Sequence, residues 1–207
     1  MKAPTLASTD AEIRSFYAVD RDRPQHADAR SRRWLFREYA VAAAVEHLDC
    51  HTVLDVGCGD GHLAALMATC GREVSVADAV QCNVEDAVRR IAREDATQTP
   101  RAWVGLVEDL SFVEEFDAVT CCETIEHIRD PRAAVASLAR AARVAVVLTT
   151  PVGRCYDDPS HLHHWDTPND LASDLAFRDV FAETLIQQIP SRLGDEGLVY
   201  LVLGLKP

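Results

Sequence analysis

The sequence predicts an α/β fold in which a doubly wound, mostly parallel sheet closes on a C-terminal antiparallel strand pair. Short apolar runs alternate with segments of helical periodicity, which is typical of a parallel sheet with helices on both faces. The last two strand-like runs are separated by only a short turn, so they must be antiparallel, because a parallel pair needs a long crossover. The 207 residues are enough for one such domain with its own core.

The predicted elements follow from where apolar residues recur at helical or strand spacing. Helices are expected over residues 31–48, 63–69, 85–93, 131–142 and 169–176. Strands are expected over residues 52–56, 73–77, 103–107, 116–121, 144–148, 183–189 and 198–205. Residues 153–168 show no periodicity and are a candidate functional loop.

Charge and cysteine usage limit the class of protein. The net charge of −12 argues against broad binding to a polyanion, which requires several phosphates to be neutralised. Residues 14–37 differ, with seven arginines against three aspartates. They read either as a solvated basic helix face or as a lid for an anionic substrate. We therefore expect an N-terminal lid or arm over residues 1–30 and a single domain over residues 31–207.

The seven cysteines occur at irregular positions and form no CxxC pair. This pattern is typical of reduced thiols in a cytoplasmic protein. No run approaches the roughly 18 apolar residues that a membrane span needs, and the N-terminus does not resemble a signal peptide. A membrane partner is therefore not expected, and the sequence does not predict the oligomeric state.

The strongest local signal is the run VLDVGCGDGHL, in which a buried strand enters a glycine-rich turn just before a helix. Glycines at this place let the backbone turn tightly and approach a ligand closely. Dinucleotide-binding proteins use the same device, although the spacing here is GxGxG. Asp78 ends the second strand, 21 residues after Gly57, where its carboxylate can accept hydrogen bonds from ribose hydroxyls.

This run, the acidic end of the second strand, FDAVTCCETIEHIRDP and VVLTTP resemble, in this order, the class I S-adenosylmethionine methyltransferases, which have a Rossmann-like fold. The resemblance implies that the glycines lie under the amino-acid part of S-adenosylmethionine and that Asp78 holds the ribose. Family members often carry an adenine-binding Asp near the end of the third strand, where this chain has Leu106. The implied cofactor-binding residues are Asp55, Gly57, Cys58, Gly59, Gly61, Asp78, Glu108, Asp109 and Cys122.

A second candidate site follows the fourth strand. If the segment ETIEH is helical, Glu123, Glu126 and His127 lie on one face and form half of a site for a divalent cation. The imidazole favours Mn²⁺, Co²⁺ or Zn²⁺ over Mg²⁺. Histidines at positions 161, 163 and 164 follow the fifth strand, so both segments leave the carboxyl edge of the sheet, where ligands bind.

The segment ETIEHI, the TTP that follows and the histidine-rich loop resemble the metal-dependent 2′-O-methyltransferases that act on the 3′ end of small RNAs. Ubiquinone-pathway O-methyltransferases are also similar here. The resemblance implies metal ligation by Glu123, Glu126 and His127, with His161 as the fourth ligand and His163 as the next candidate. Without a metal, His127 or His161 would act as the general base beside Glu126.

We therefore expect an S-adenosylmethionine-dependent enzyme that methylates a hydroxyl of a small molecule, with a divalent metal (Mg, Mn, Co or Zn) as a second candidate cofactor. RNA 3′-terminal 2′-O-methylation is the first alternative, which the acidic net charge disfavours. A non-catalytic cofactor-binding partner subunit is the second alternative. A dinucleotide-dependent oxidoreductase fits less well, because the glycine spacing and the closing strand pair differ.

Overall fold

The computed structural model describes residues 5–9, 11–12, 14–16, 35–95, 97–155, 158–191 and 197–207. Within these ranges the strands are β1 (Thr52–Val56), β2 (Glu73–Asp78), β3 (Ala102–Val104), β4 (Phe116–Cys122), β5 (Ala142–Pro151), β6 (Glu183–Pro190) and β7 (Leu198–Leu205). The helices, numbered from the first long one, are α1 (Leu35–His47), α2 (His62–Thr69), α3 (Gln81–Glu94), α4 (Pro131–Ala141), α5 (Pro168–Asp174) and α6 (Phe177–Val180).

The strands form one sheet in the order β3-β2-β1-β4-β5-β7-β6. Strands β1 to β5 pair in parallel, whereas β7 is antiparallel to both β5 and β6. The predicted mostly parallel sheet and its antiparallel closing pair are therefore confirmed. The sheet order adds that β7 lies between β5 and β6, so the last strand of the chain is not at the edge.

Burial shows why the sheet is doubly wound. Val53 packs in a core with α1, α2 and α3, and its neighbour Leu54 packs in a second core with α4, α5 and α6. Successive side chains of a strand point to opposite faces, so a strand that is apolar throughout needs helices on both sides. Both cores leave the carboxyl edge of the parallel strands to the loops, and the candidate site lies there.

Two local predictions differ from the structure. The sequence predicts a third strand that reaches residue 107, but β3 ends at Val104. The N–H of Gly105 still donates to the carbonyl of Asp78, and the chain then bends away from the sheet. Residues Val107–Asp109 then form a 3₁₀ turn, and the short helix α6 had no counterpart in the prediction. The turn that the sequence predicts near residues 194–197 lies mostly outside the described residues.

Among the residues that the structure describes, no helix is both long and apolar enough to cross a membrane.

Candidate active site

The glycine loop after β1 is held over the end of β2. The N–H groups of Gly57 and Cys58 both donate to the carbonyl of Ala77, at 2.8 and 3.2 Å. Gly57, Gly59 and Gly61 have φ angles of 70°, 52° and 78°, a region that residues with a Cβ rarely adopt. Backbone conformation is therefore already a sufficient reason for glycine at each of these three positions.

The surroundings of these glycines differ. A Cβ at Gly57 would collide with the side chain of Thr124, and one at Gly61 would collide with Ala87 of α3. A Cβ at Gly59 would meet no atom within 4 Å. Gly57 and Gly61 are thus packing positions, and Gly59 alone faces open space where a ligand can approach the backbone.

Asp78 is buried and ties β2 to the glycine loop. Its Oδ2 accepts the N–H of Gly59 at 3.0 Å, and its Oδ1 accepts the N–H of Val80 and the amide of Asn83 at 2.8 and 3.2 Å. Burial raises the pKa of this carboxyl, and the hydrogen bonds act in the opposite direction. Each carboxylate oxygen can accept more than one hydrogen bond, so Oδ2 can still receive a ligand hydroxyl beside Gly59.

Asp55, Cys58 and Cys122 are part of this region, but their burial restricts their chemistry. The Oδ1 of Asp55 accepts the hydroxyl of Thr120 at 2.7 Å, and burial raises the pKa of this carboxyl to about 7. Burial also raises the thiol pKa of both cysteines, so neither is a ready nucleophile. These three side chains can shape the cofactor site without forming a covalent intermediate.

The segment after β3 places two further candidate residues. Glu108 is half-buried in the turn Val107–Asp109, and Asp109 is exposed. The carbonyl of Glu108 accepts the hydroxyl of Ser137 from α4 at 3.4 Å. Since the third strand is shorter than expected, these residues lie on a turn beyond the sheet rather than at a strand end.

The expected helical face over residues 123–127 is wrong. Glu123 has a φ of 48°, and only Ile125–His127 form a 3₁₀ turn, so Glu123 does not share a face with the residues of that turn. Its carboxylate instead accepts the hydroxyl of Thr149 at 3.0 Å and pairs with Arg37 at 3.3 Å. The first of the expected metal ligands is therefore occupied by a guanidinium.

Three of the predicted residues do come together. One potential ligand atom from each of Glu126, His127 and His161 lies within 4.8 Å of the others, the only such group among the residues that the structure describes. Glu126 is 1% exposed, and its Oε2 accepts the hydroxyl of Thr150 at 3.1 Å. Its Oε1 is buried without a hydrogen-bond partner, 3.8 Å from Nε2 of His127.

The charge states of this group follow from its burial. Burial and the negative charge of Glu123 raise the pKa of Glu126 well above its ordinary value. Burial and the neighbouring His127 lower the pKa of His161 to about 4. His161 is therefore a neutral imidazole at physiological pH, and it has a lone pair to offer to a cation or a proton donor.

His163 lies outside this group. Its Nε2 donates to the carbonyl of Ile128 at 2.9 Å, and its ring stacks on Trp165 with the centroids 5.8 Å apart. His164 also binds a backbone carbonyl, that of Gly153, at 3.3 Å. Of the two histidines that the sequence left open as the last ligand, the structure brings only His161 to the cluster.

Two functional candidates on α1 were missed by the sequence analysis. Arg37 and Glu38 are 6% and 8% exposed, which is unusual for charged residues. Arg37 pairs with Glu123, and Glu38 pairs with Nδ1 of His62 at 2.6 Å. The available signal was a charged pair within a helix of apolar periodicity. The basic segment of residues 14–37 includes Arg37 but not Glu38, and five of its other arginines lie outside the described residues, namely Arg21, Arg23, Arg30, Arg32 and Arg33.

The N-terminal segment lies close to the same edge of the sheet. Arg129, two residues after His127, donates to the carbonyl of Ser8 at 2.9 Å. Phe16 is 2% exposed, so this part of the chain contributes a side chain to the interior. The expected lid or arm therefore has at least one contact beside residues 123–127, the ExxEH segment.

Fold and site together define a Rossmann-like protein with a ligand-facing glycine loop and an acid–imidazole group side by side. The family model of the methyltransferase domain matches residues 25–192, so the chain belongs to the methyltransferase domain family. It is 37% identical over 169 residues to a ubiquinone biosynthesis O-methyltransferase of Alkalilimnicola ehrlichii; the match covers 75% of this chain and 57% of that protein. The chain thus spans little more than half the length of this relative.

Solved structures show the same fold. Magnesium protoporphyrin IX methyltransferase (ChlM) of Synechocystis PCC 6803, with bound S-adenosylmethionine, superposes with a TM-score of 0.68 at 18% identity, covering 97% of this chain and 99% of that one. The methyltransferase domain of bacterial CtHen1-C superposes with a TM-score of 0.65 at 22% identity, covering 83% and 97%. At these identities the likeness establishes the architecture.

Proposed function

We propose that this protein transfers the methyl group of S-adenosylmethionine to a hydroxyl of a small-molecule acceptor. The observation that carries the proposal is the packing of Gly57 against Thr124, which leaves no room for a Cβ. This packing places the ligand-facing loop directly beside the segment that bears Glu126 and His127. The relatives named as ubiquinone biosynthesis O-methyltransferases support transfer to oxygen.

The cofactor would lie along the glycine loop, with its amino-acid part over Gly59 and its ribose at Asp78. The open space at Gly59 and the remaining acceptor capacity of Asp78 Oδ2 support this placement. The sulfonium methyl group is already activated, so the protein has to align an acceptor oxygen with it. As oxygen attacks, the carbon–sulfur bond electrons return to sulfur, and the hydroxyl proton passes to a base.

His161 is a weak base, so we assign the role of general base to His127. A general base works best when its pKa lies near the operating pH, and the pKa of His161 is lowered to about 4. His161 is therefore suited to act as a ligand or hydrogen-bond acceptor. Burial raises the pKa of Glu126, whereas a positive charge on His127, 3.8 Å away, would favour the ionised carboxylate. The carboxylate and the imidazolium that forms when the proton is taken up would then stabilise each other.

The same group fits a divalent cation. A buried carboxylate oxygen without a partner and two imidazoles supply one oxygen and two nitrogens, a donor set that suits Zn²⁺, Mn²⁺ or Co²⁺ better than Mg²⁺. When bound, such a cation would lower the pKa of the acceptor hydroxyl. Glu126, His127 and His161 would hold it, whereas Glu123 stays with Arg37 and His163 with Ile128.

Chelation tests the metal and the base separately. If a cation takes part, EDTA should reduce methyl transfer at least about tenfold, and Mn²⁺, Co²⁺ or Zn²⁺ should restore it. Glu126→Gln should lose metal content and turnover together, whereas Glu183→Gln, a change at an exposed position of β6, should lose neither. Full turnover by enzyme shown to be metal-free would remove the cation from the proposal and leave His127 as the base.

The acceptor class is tested by offering both kinds of hydroxyl. We expect transfer from radiolabelled S-adenosylmethionine to one or more members of a panel of hydroxylated small molecules, and none to the 3′-terminal ribose of a short RNA. Label on the RNA alone would establish the RNA alternative. Tight cofactor binding without transfer to any hydroxyl or to a panel of RNAs would favour the non-catalytic partner subunit.

We also propose that the protein works in a reducing compartment such as the cytoplasm, since its cysteines, including the exposed Cys70 and Cys155, are free thiols.

A further inference from the structure

We infer that Asp158 and Ser160 are positioning residues that hold the imidazole of His127 with Nδ1 protonated and the lone pair on Nε2, which lies 3.8 Å from Oε1 of Glu126. This inference deepens the proposed function and rests on it in one respect, namely that His127 acts in methyl transfer. Both residues lie in the candidate functional loop of residues 153–168, but neither is among the site residues that the sequence predicts, because neither belongs to the motif that carries the reaction.

The direction of each hydrogen bond follows from the chemistry of the two residues. Oδ1 of Asp158 lies 2.6 Å from the hydroxyl of Ser160 and 2.8 Å from the N–H of Ser160. A carboxylate oxygen at these distances accepts from both groups, so the single hydroxyl proton of Ser160 goes to Asp158.

The state of the imidazole follows from this assignment. The Ser160 oxygen lies 3.2 Å from Nδ1 of His127, and it can only accept there, because its proton is already used. The backbone carbonyl of Ser160 lies 3.1 Å from the same nitrogen, and a carbonyl also only accepts. Two acceptors at Nδ1 require a proton on that nitrogen, so in the neutral ring the lone pair is on Nε2.

The surroundings keep this arrangement in place. Ser160 is 2% exposed, so water cannot readily replace its hydroxyl. The N–H groups of Leu162 and His163 donate to the carbonyl of Glu126 at 2.8 and 3.2 Å, which ties the loop to the turn that carries His127. Loop and turn therefore form one hydrogen-bonded unit. In it, Ser160 orients the ring of His127, and Asp158 orients the hydroxyl of Ser160.

A purely local role must be distinguished from this one. Asp–x–Ser sequences commonly form side-chain turns that stabilise a loop without acting on a neighbour. Such a turn would affect stability alone. A positioning role predicts in addition a change in the imidazole tautomer and in turnover, at unchanged affinity for the cofactor.

The experiment measures four quantities on the full chain, namely the tautomer of His127, kcat, the KM for S-adenosylmethionine and the melting temperature. The ¹⁵N shifts of the His127 ring, assigned by difference from His127→Gln at about pH 8.5, report which nitrogen carries the proton. Ser160→Ala removes one of the two acceptors at Nδ1 and leaves the carbonyl. The Nε2-protonated tautomer should therefore become detectable beside the original one, and kcat should fall by about 10- to 100-fold, with the KM for S-adenosylmethionine unchanged. Ser160→Thr, which keeps the hydroxyl, should restore both, and Asp158→Ala should resemble Ser160→Ala. Ser75→Ala, which truncates another buried serine on β2, serves as the control.

Each other outcome has a defined meaning. A ring protonated on Nε2 in the unaltered protein would overturn the inference. So would Ser160→Ala with a lower melting temperature but an unchanged tautomer, because that result describes a loop-stabilising turn. If the unaltered protein transfers no methyl group, the proposed function fails, and the tautomer of His127 still decides the positioning role.

Discussion

At the scale of single residues, the glycine loop shows that one motif combines two requirements. Gly57 and Gly61 are required because neighbouring atoms occupy the space of a Cβ, whereas Gly59 is surrounded by open space. Substitution at the first two positions should therefore disturb the fold. Substitution at Gly59 should chiefly disturb the ligand, which makes it the informative position for the proposed cofactor.

We predict that Gly59→Val abolishes binding of S-adenosylhomocysteine, because the new side chain occupies the space over the loop. Calorimetry measures the binding, and chemical denaturation measures the free energy of unfolding. Because residue 59 has a φ of 52°, replacing its glycine with valine should also lower the free energy of unfolding by about 1–2 kcal/mol. Gly71→Val is a matched control, since Gly71 also has a positive φ and no neighbour within 4 Å of a Cβ. Unchanged ligand affinity in Gly59→Val would place the cofactor elsewhere.

At the scale of elements, α1 does more than cover the sheet. Its Arg37 reaches the carboxylate of Glu123, which follows β4, and both side chains are largely buried. The pair thus joins a helix on one face to the loop that carries the reaction group. It also explains why Glu123 is not available to a cation, although the sequence pattern grouped it with Glu126.

We predict that Arg37→Met lowers the free energy of unfolding by about 3 kcal/mol, because it leaves a buried carboxylate without its counter-ion. Glu123→Gln should also destabilise, and the double variant should lose less than the two single losses combined. Arg93→Met, which removes an exposed pair with Glu94, should change stability by about 0–1 kcal/mol. Additive losses at Arg37 and Glu123 would show that the two side chains are not energetically coupled.

At the scale of the whole molecule, the N-terminal arm contacts the chain just after the ExxEH segment, where Arg129 donates a hydrogen bond to the carbonyl of Ser8. Because Arg129 follows His127 closely, this contact leads us to predict that the N-terminal residues around Ser8 act on the acceptor side of the site. The cofactor side is formed by other parts of the chain, namely the glycine loop and the end of β2. Acceptor and cofactor should therefore respond differently when the arm is shortened.

We predict that deletion of residues 1–12 raises the KM for the acceptor about tenfold or more and leaves the affinity for S-adenosylhomocysteine within about twofold. The deletion keeps Phe16, which is buried, so the interior is not opened. Arg129→Ala tests the same contact from the other side and should give a change in the same direction. Equal losses for acceptor and cofactor would mean that the arm is simply part of the fold.

The sequence by itself determined the succession of strands and helices along the chain, the antiparallel closing pair and the glycine loop. These are encoded by local periodicity and by backbone conformations that only glycine adopts readily, so neighbouring residues suffice to predict them. The tertiary structure alone decided that Glu123 leaves the reaction group and that His161 enters it while His163 does not. It also decided that Arg37 pairs with Glu123 and Glu38 with His62. Each of these depends on which side chains meet across the carboxyl edge of the sheet, and residues distant in the sequence set those contacts.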